Sequence, residues 1–220
     1  MSSLKPGFKI EKLVSLLSGY GFPKSYIETG TYRGESAAVA AGSFQKVKTI
    51  ELSERWYNFS KEKLSIYLHV QCYWGDSMKV LPTLIKGSPE PTYFFLDAHF
   101  AGGTTAMGPK EVPIMEELAA ILGRDENDII VIDDLRLVGK KGQTGEKDHE
   151  LYPLMEFDWE DISLEWIKEQ LGSNSYTTFE YMDRLYAYRH VNFLQAILIG
   201  FLFNLMDWRR FVRKLRRVSR

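Results

Sequence analysis

Cysteine is almost missing from this chain: Cys72 is the only one in 220 residues. No disulfide within the chain can therefore staple the fold. Net charge is also scarce, −1 at pH 7, while apolar residues make up 45%. A disordered chain needs low hydrophobicity and high net charge, and this one has neither. A near-neutral total argues against a broadly basic nucleic-acid binder, so no nucleic-acid partner is expected. There is no internal repeat and no low-complexity tract. The opening segment MSSLKPGFKIEKLVSLLSGYGF has no uninterrupted apolar core and no small-residue cleavage site, so no secretory signal is expected. Together with the lone cysteine this points to the cytoplasm. The length suits one α/β domain with a substantial core, or such a domain with a short appendage.

What is present alternates. Ile10, Leu13, Val14, Leu16 and Leu17 have helical spacing, and Gly19 and Gly21 end that lead-in helix. Strands are then expected at 25–28, 46–51, 70–73, 92–96 and 128–132, with helices at 34–42, 54–68, 77–84, 112–122 and 163–171 between and after them. Residues 175–181 and 185–190 read as a closing hairpin turned at 182–184. Apolar strands alternating with helices imply a mostly parallel sheet covered on both faces, a Rossmann-like doubly wound α/β fold with a C-terminal antiparallel hairpin. This domain is expected over 1–190, with an appended helical tail over 191–220.

The tail has its own character. Residues 191–206, VNFLQAILIGFLFNLM, are the most apolar stretch. At 16 residues it falls short of the roughly 20 that span a bilayer. Residues 209–220 then carry seven basic side chains and no acid, leaving 21 basic against 29 acidic in 1–208. Trp208, Phe211, Val212, Leu215 and Val218 fall on one helical face among arginines. A basic amphipathic helix opened by a Trp suits an anionic membrane surface, which would place the protein peripherally at the inner face. The competing expectation is burial of the apolar stretch against the domain or in a homodimer.

In parallel sheets ligands bind beyond the carboxyl ends of the strands. The first such end reads ETGTYRGES over 28–36. Gly30 permits a tight turn and close backbone approach, and Gly34 opens the next helix. Its G-x-x-x-G spacing is not the G-x-G-x-x-G of dinucleotide binders. The second strand ends at Glu51, where a carboxylate can accept both hydroxyls of a ribose or simply favour a helix start. After the third strand, Asp76 can take the exocyclic amine of an adenine, cap a helix, or do both.

The fourth and fifth strands release LDAHFAGG and IDDLR. Asp97, Asp133 and Asp134 are thus expected at one edge, where three carboxylates repel unless positive charge lies between them. A hard divalent cation such as Mg²⁺ is one solution; loop capping and an ion pair with Arg136 is the other. His99 follows Asp97 by two residues and is a candidate general base.

The order of these motifs over 23–190 resembles that of class I S-adenosylmethionine-dependent methyltransferases. The resemblance implies that Glu28, Gly30, Thr31, Gly34 and Ser36 cradle the methionine part of that cofactor. It likewise implies that Glu51 holds the ribose, that Asp76 and Ser77 hold the adenine, and that Asp97 lies near the methyl donor. Within the class, FFLDAHF and IIVIDD resemble metal-dependent O-methyltransferases of the catechol type. That implies Mg²⁺ on Asp97, Asp133 and Asp134, the last standing where that family has Asn. The family's lysine base has no evident counterpart, and His99 is its substitute here. The run LDAHFAGGTTAMGPKEVPIMEEL, with IDDLRL after it, also resembles a bacterial group of methyltransferase-like proteins. Some of these accompany sugar and surface-polysaccharide genes, which implies a saccharide or other hydroxyl acceptor.

The expected activity is O-methyl transfer, with His99, Asp97 and Arg136 as the catalytic group. Arg136 would bind an acidic acceptor or neutralise Asp134. Residues 102–105 read as a substrate loop or lid, and 140–149 as a second mobile loop on the same edge. Two other readings stay open: a nicotinamide-dependent oxidoreductase, and a non-catalytic methyltransferase-like module directed to a membrane.

Overall fold

The computed structural model describes residues 8, 12, 21–99, 105–147, 154–192 and 194–204. Strands β1 (Ser25–Thr29), β2 (Lys46–Glu51), β3 (Val70–Trp74), β4 (Thr92–Leu96) and β5 (Ile129–Ile132) form the parallel part of a seven-stranded sheet. Strand β9 (Arg184–Arg189) adds to β5 antiparallel, and β8 (Tyr176–Tyr181) pairs with β9. The order is β3-β2-β1-β4-β5-β9-β8. This is the Rossmann-like, mostly parallel α/β sheet with a closing hairpin that the alternation of elements predicts.

Strand β4 shows why the sheet must be covered on both faces. All five of its residues are buried. Phe94 and Leu96 point into one apolar cluster, and Tyr93 and Phe95 into the other, as the two-residue period of a strand requires. Helices α3 (Ser77–Ile85), α4 (Ile114–Leu122) and α5 (Leu164–Ser173) close the first face through Leu81, Leu118, Ile121, Ile167 and Leu171. Helices α1 (Glu35–Ala41) and α2 (Glu54–Leu64) close the second through Ala37, Ala40 and Leu64. Ser53, Asp76 and Ser163 cap α2, α3 and α5 by accepting from the N–H of Trp56, Met78 and Trp166, which fixes where each helix starts. The helix expected over 54–68 ends at Leu64, and Leu68 is almost wholly exposed.

The hairpin turns on Met182 and Asp183, with φ of 52° and 65°. Two consecutive left-handed residues make the turn whose twist matches antiparallel strands. Residues 194–204 form a further helix, α6, on the second face, where Ile199 and Phe203 are buried.

Part of the segment expected as a mobile loop is ordered. Strand β6 (Lys141–Thr144) pairs antiparallel with β7 (Met155–Asp158) in a separate two-stranded sheet. The sequence KGQT carries no apolar alternation, so the pairing rests on backbone bonds. The Trp159 N–H donates to the Lys140 carbonyl (2.8 Å) and the Gly139 N–H to the Trp159 carbonyl (3.1 Å), and these bonds bring Trp159 into the core. The lead-in helix, residues 102–104 of the expected lid and the basic amphipathic face from Trp208 lie outside the described residues.

Candidate functional site

The carboxyl ends of β1 to β5 meet at one edge, and glycine geometry sets how closely. Gly30 has φ +82°, and a Cβ there would collide with the Asp97 carbonyl. The β1 turn can therefore pack against the end of β4 only with glycine at this position. Gly34, at φ +69°, begins α1 against Leu64 and Ser60 of α2. The N–H groups of Gly30 and Thr31 donate to the Ile50 carbonyl (2.9 and 3.1 Å), and the Gly75 N–H donates to that of Glu51 (2.9 Å). Three strand ends are thus tied edge to edge.

The acids at this edge have different surroundings. Glu28 is fully buried and accepts from the Tyr26 hydroxyl and the Thr49 hydroxyl, each at 2.8 Å. The Thr31 hydroxyl in turn meets that of Thr49. Glu51 accepts from the Tyr32 N–H (2.6 Å) and the Ser53 N–H (2.8 Å). It thereby joins the β1–α1 and β2–α2 turns. Burial pushes its carboxyl above the ordinary range, against the pull of those backbone donors. Asp76 Oδ1 accepts from the Met78 N–H (3.0 Å). Its Oδ2 is buried and takes no partner among the described residues. The capping role and a free acceptor therefore coexist in one side chain. Ser77 and Ser36, in the first turns of α3 and α1, are buried beside these turns.

The ends of β4 and β5 hold the charged group. His99 lies 3.1 Å through Nε2 from Asp134 and 3.6 Å through Nδ1 from Asp97. Its ring meets Trp159 edge-on at 5.1 Å. Burial opposes a charge on His99, but the bond to Asp134 and the fields of Asp97, Asp134 and Asp133 outweigh it and raise its pKa. For Asp134 burial is likewise overcome, by His99 and Arg136, and its pKa falls to about 2. Arg136 bridges Asp134 and Asp183, while its N–H donates to Asp183 at 2.7 Å. Asp134 itself sits at φ 58°. Its N–H donates to Asp133 at 3.0 Å.

Of the expected metal ligands, Asp97 and Asp134 come together and Asp133 does not join them. Its two oxygens accept from Arg184 Nε and Nη2, at 3.0 and 2.8 Å. The group that does assemble is Asp97, His99 and Asp134, each offering one donor atom within 4.8 Å of the others. Two oxygens and an imidazole nitrogen suit Mn²⁺ or Zn²⁺ better than the all-oxygen shell that Mg²⁺ prefers. These residues therefore do not fit the Mg²⁺ set expected from the resemblance. Arg136 makes the ion pair with Asp134 that one of its two expected roles requires.

Three contributors went unforeseen: Arg184, Asp183 and Trp159. A signal for two of them was available. The hairpin turn carries MDR, and a strand antiparallel to β5 must place that turn beside the IDD end of β5. The pairing of Ile132 with Leu185 does so.

No family model and no curated protein matches the chain. Solved structures do. A methyltransferase of Podospora anserina with S-adenosylhomocysteine bound is 19% identical, with TM-score 0.52 over 86% of this chain and 79% of that one. An O-methyltransferase from Bacillus cereus, in complex with the same product, is 13% identical, with TM-score 0.54 over 86% and 82%. An amino pentose methyltransferase from Micromonospora echinaspora with S-adenosylmethionine bound is 11% identical, with TM-score 0.51 over 86% and 92%. The glycine-pinned turn, the strand order and these likenesses agree: this chain has the fold of the class I S-adenosylmethionine-dependent methyltransferases.

Proposed function

We propose that this protein is an S-adenosylmethionine-dependent O-methyltransferase of a small hydroxyl compound, with His99 as the general base. The observation that carries the reading is one juxtaposition. The Gly30 turn presses against Asp97, and two residues on His99 lies between the carboxylates of Asp97 and Asp134. A cofactor turn and a proton acceptor thus share one sheet edge. The assignments around it are part of the proposal. Residues 28–36 face the methionine part, Glu51 the ribose hydroxyls, and Asp76 with Ser77 the adenine. The amino pentose acceptor of one neighbour is consistent with a saccharide acceptor here.

When bound, S-adenosylmethionine supplies an electrophilic methyl on a sulfonium. The chain must align the acceptor oxygen and take its proton. With Nε2–H donated to Asp134, His99 presents Nδ1 to an acceptor hydroxyl. As Nδ1 takes the proton, Asp97 and Asp134 stabilise the imidazolium. This is the orienting logic of a base held by a carboxylate. Arg136 holds Asp134 in place beside His99, and Arg184 holds Asp133. No step runs through Mg²⁺.

The test is calorimetric titration of the full chain with S-adenosylmethionine and, separately, with NAD. S-adenosylmethionine alone is expected to bind. Methyl transfer to a hydroxyl acceptor library should survive a chelator. His99→Asn should lower turnover about 10²- to 10⁴-fold with cofactor affinity kept. Binding of NAD instead would favour an oxidoreductase. Binding of neither by folded protein would favour a non-catalytic module.

A further inference from the structure

Helix α6 is fixed at both its start and its inner face. The Asn192 N–H donates to Gln195 Oε1, and the Gln195 N–H donates to Asn192 Oδ1, each at 2.9 Å. This reciprocal pair is a capping box. Two of the three polar residues in the apolar stretch, Asn192 and Gln195, are therefore the start signal of a helix. Inward, the ring of Phe203 lies 5.6, 5.2 and 5.3 Å from those of Phe179, Tyr181 and Tyr186 on the closing hairpin. Ile199 is buried beside it.

Outward, the same helix presents Leu194, Ile197, Leu198 and Phe201, which are 76, 56, 43 and 60% exposed. Their spacing of three, four and seven residues makes them one stripe. No described residue covers it. The eleven residues 194–204 extend about 16 Å at 1.5 Å each, roughly half a hydrocarbon core. No helix among the described residues is long and apolar enough to cross a membrane. The sequence that follows, 209–220, carries seven basic side chains and no acid.

We propose that the outer stripe of α6 is a docking surface for an anionic lipid bilayer, with α6 lying in the interface plane and the basic sequence 209–220 supplying attraction to the headgroups. Apolar burial and attraction to anionic headgroups act together there, and two such signals are what stable anchoring needs. A second copy of the chain is the weaker occupant. Four side chains are far fewer than the roughly 20 residues per partner of a standard interface. The surface stands independently of the methyl-transfer reading, and its test needs no cofactor.

The experiment is flotation of the full chain with phosphatidylcholine vesicles and with vesicles containing phosphatidylglycerol. The chain is expected to float with the anionic vesicles only, and high salt is expected to release it. Ile197→Glu combined with Phe201→Glu should cut the bound fraction about tenfold or more, with circular dichroism and melting temperature unchanged because both positions are exposed. Replacing the seven basic residues of 209–220 by Gln should abolish the preference for anionic vesicles. Failure of the wild type to float would overturn the proposal, as would flotation of the double variant at wild-type level. So would conversion of a dimer to a monomer by the double variant without lipid, which would assign the stripe to a second copy.

Discussion

Glu117 offers a sharp test of the physical reasoning, because it is a carboxylate where a carboxylate is expensive. It sits in the first turn of α4, 1% exposed, and neither oxygen closes a hydrogen bond of good geometry. Burial pushes its pKa from 4.5 to about 7; the nearby hydroxyls of Ser77 and Thr29 pull it down, and Asp76 and Glu116 push it further up. The folded state thus binds this proton more tightly than the unfolded state, where Glu titrates near its ordinary value. Between the two pKa values the folded chain holds more protons, so its stability falls as pH rises. A shift from 4.5 to about 7 is worth about 3 kcal/mol at 1.36 kcal/mol per unit. The contribution is complete below the unfolded pKa and lost by the time pH passes the folded one. Glu117→Gln removes the titration and keeps the shape. The measurement is the melting temperature of both proteins from about pH 5 to about pH 8. The difference between them should move in favour of Gln by roughly 6–12 °C over that window in a chain of this size. Parallel melting curves across the window would refute a neutral buried Glu117, and a difference favouring the wild type at high pH would refute it more strongly.

Other outcomes follow from single contacts. Gly30→Ala should lower the melting temperature and cofactor affinity together, because its Cβ meets the Asp97 carbonyl at a positive φ; a loss of about 2 kcal/mol or more is expected by urea denaturation. Glu51→Ala should weaken S-adenosylmethionine binding about 10- to 100-fold by calorimetry, with Glu51→Gln intermediate because an amide still accepts from one of the two N–H groups. Arg184→Met leaves the half-buried Asp133 without its bidentate partner, so a loss of about 3 kcal/mol is expected; adding Asp133→Leu should recover part of it in a double-mutant cycle.

The architecture was legible because burial on both faces writes itself into composition. TYFFL and IIVI have no charged member and, Thr92 apart, are apolar or aromatic, and such runs belong in the middle of a parallel sheet. Helix starts were legible where a Ser or Asp can cap, as at Ser53, Asp76 and Ser163. Strands β6 and β7 were not, because KGQT and MEFD pair through backbone groups that every residue carries. Within the site, sequence identifies which acids reach the edge and offers Arg136 to Asp134, but it does not show that Asp133 meets Arg184. That pairing depends on where the returning hairpin sets its turn. Asp133 and Asp134 are neighbours in the chain and both follow β5. The left-handed backbone at Asp134 separates their side chains. One turns to Arg184 on the hairpin, the other to His99 and Arg136. A pair of adjacent letters thus splits into a bracing carboxylate and a carboxylate beside the base. This split is also why a metal need not be invoked for charge balance. Four carboxylates, on Asp97, Asp133, Asp134 and Asp183, face Arg136, Arg184 and a histidine whose pKa they raise. The repulsion that three converging acids lead one to expect is met largely by cations of the chain itself, Arg136 from the segment after β5 and Arg184 from the start of β9.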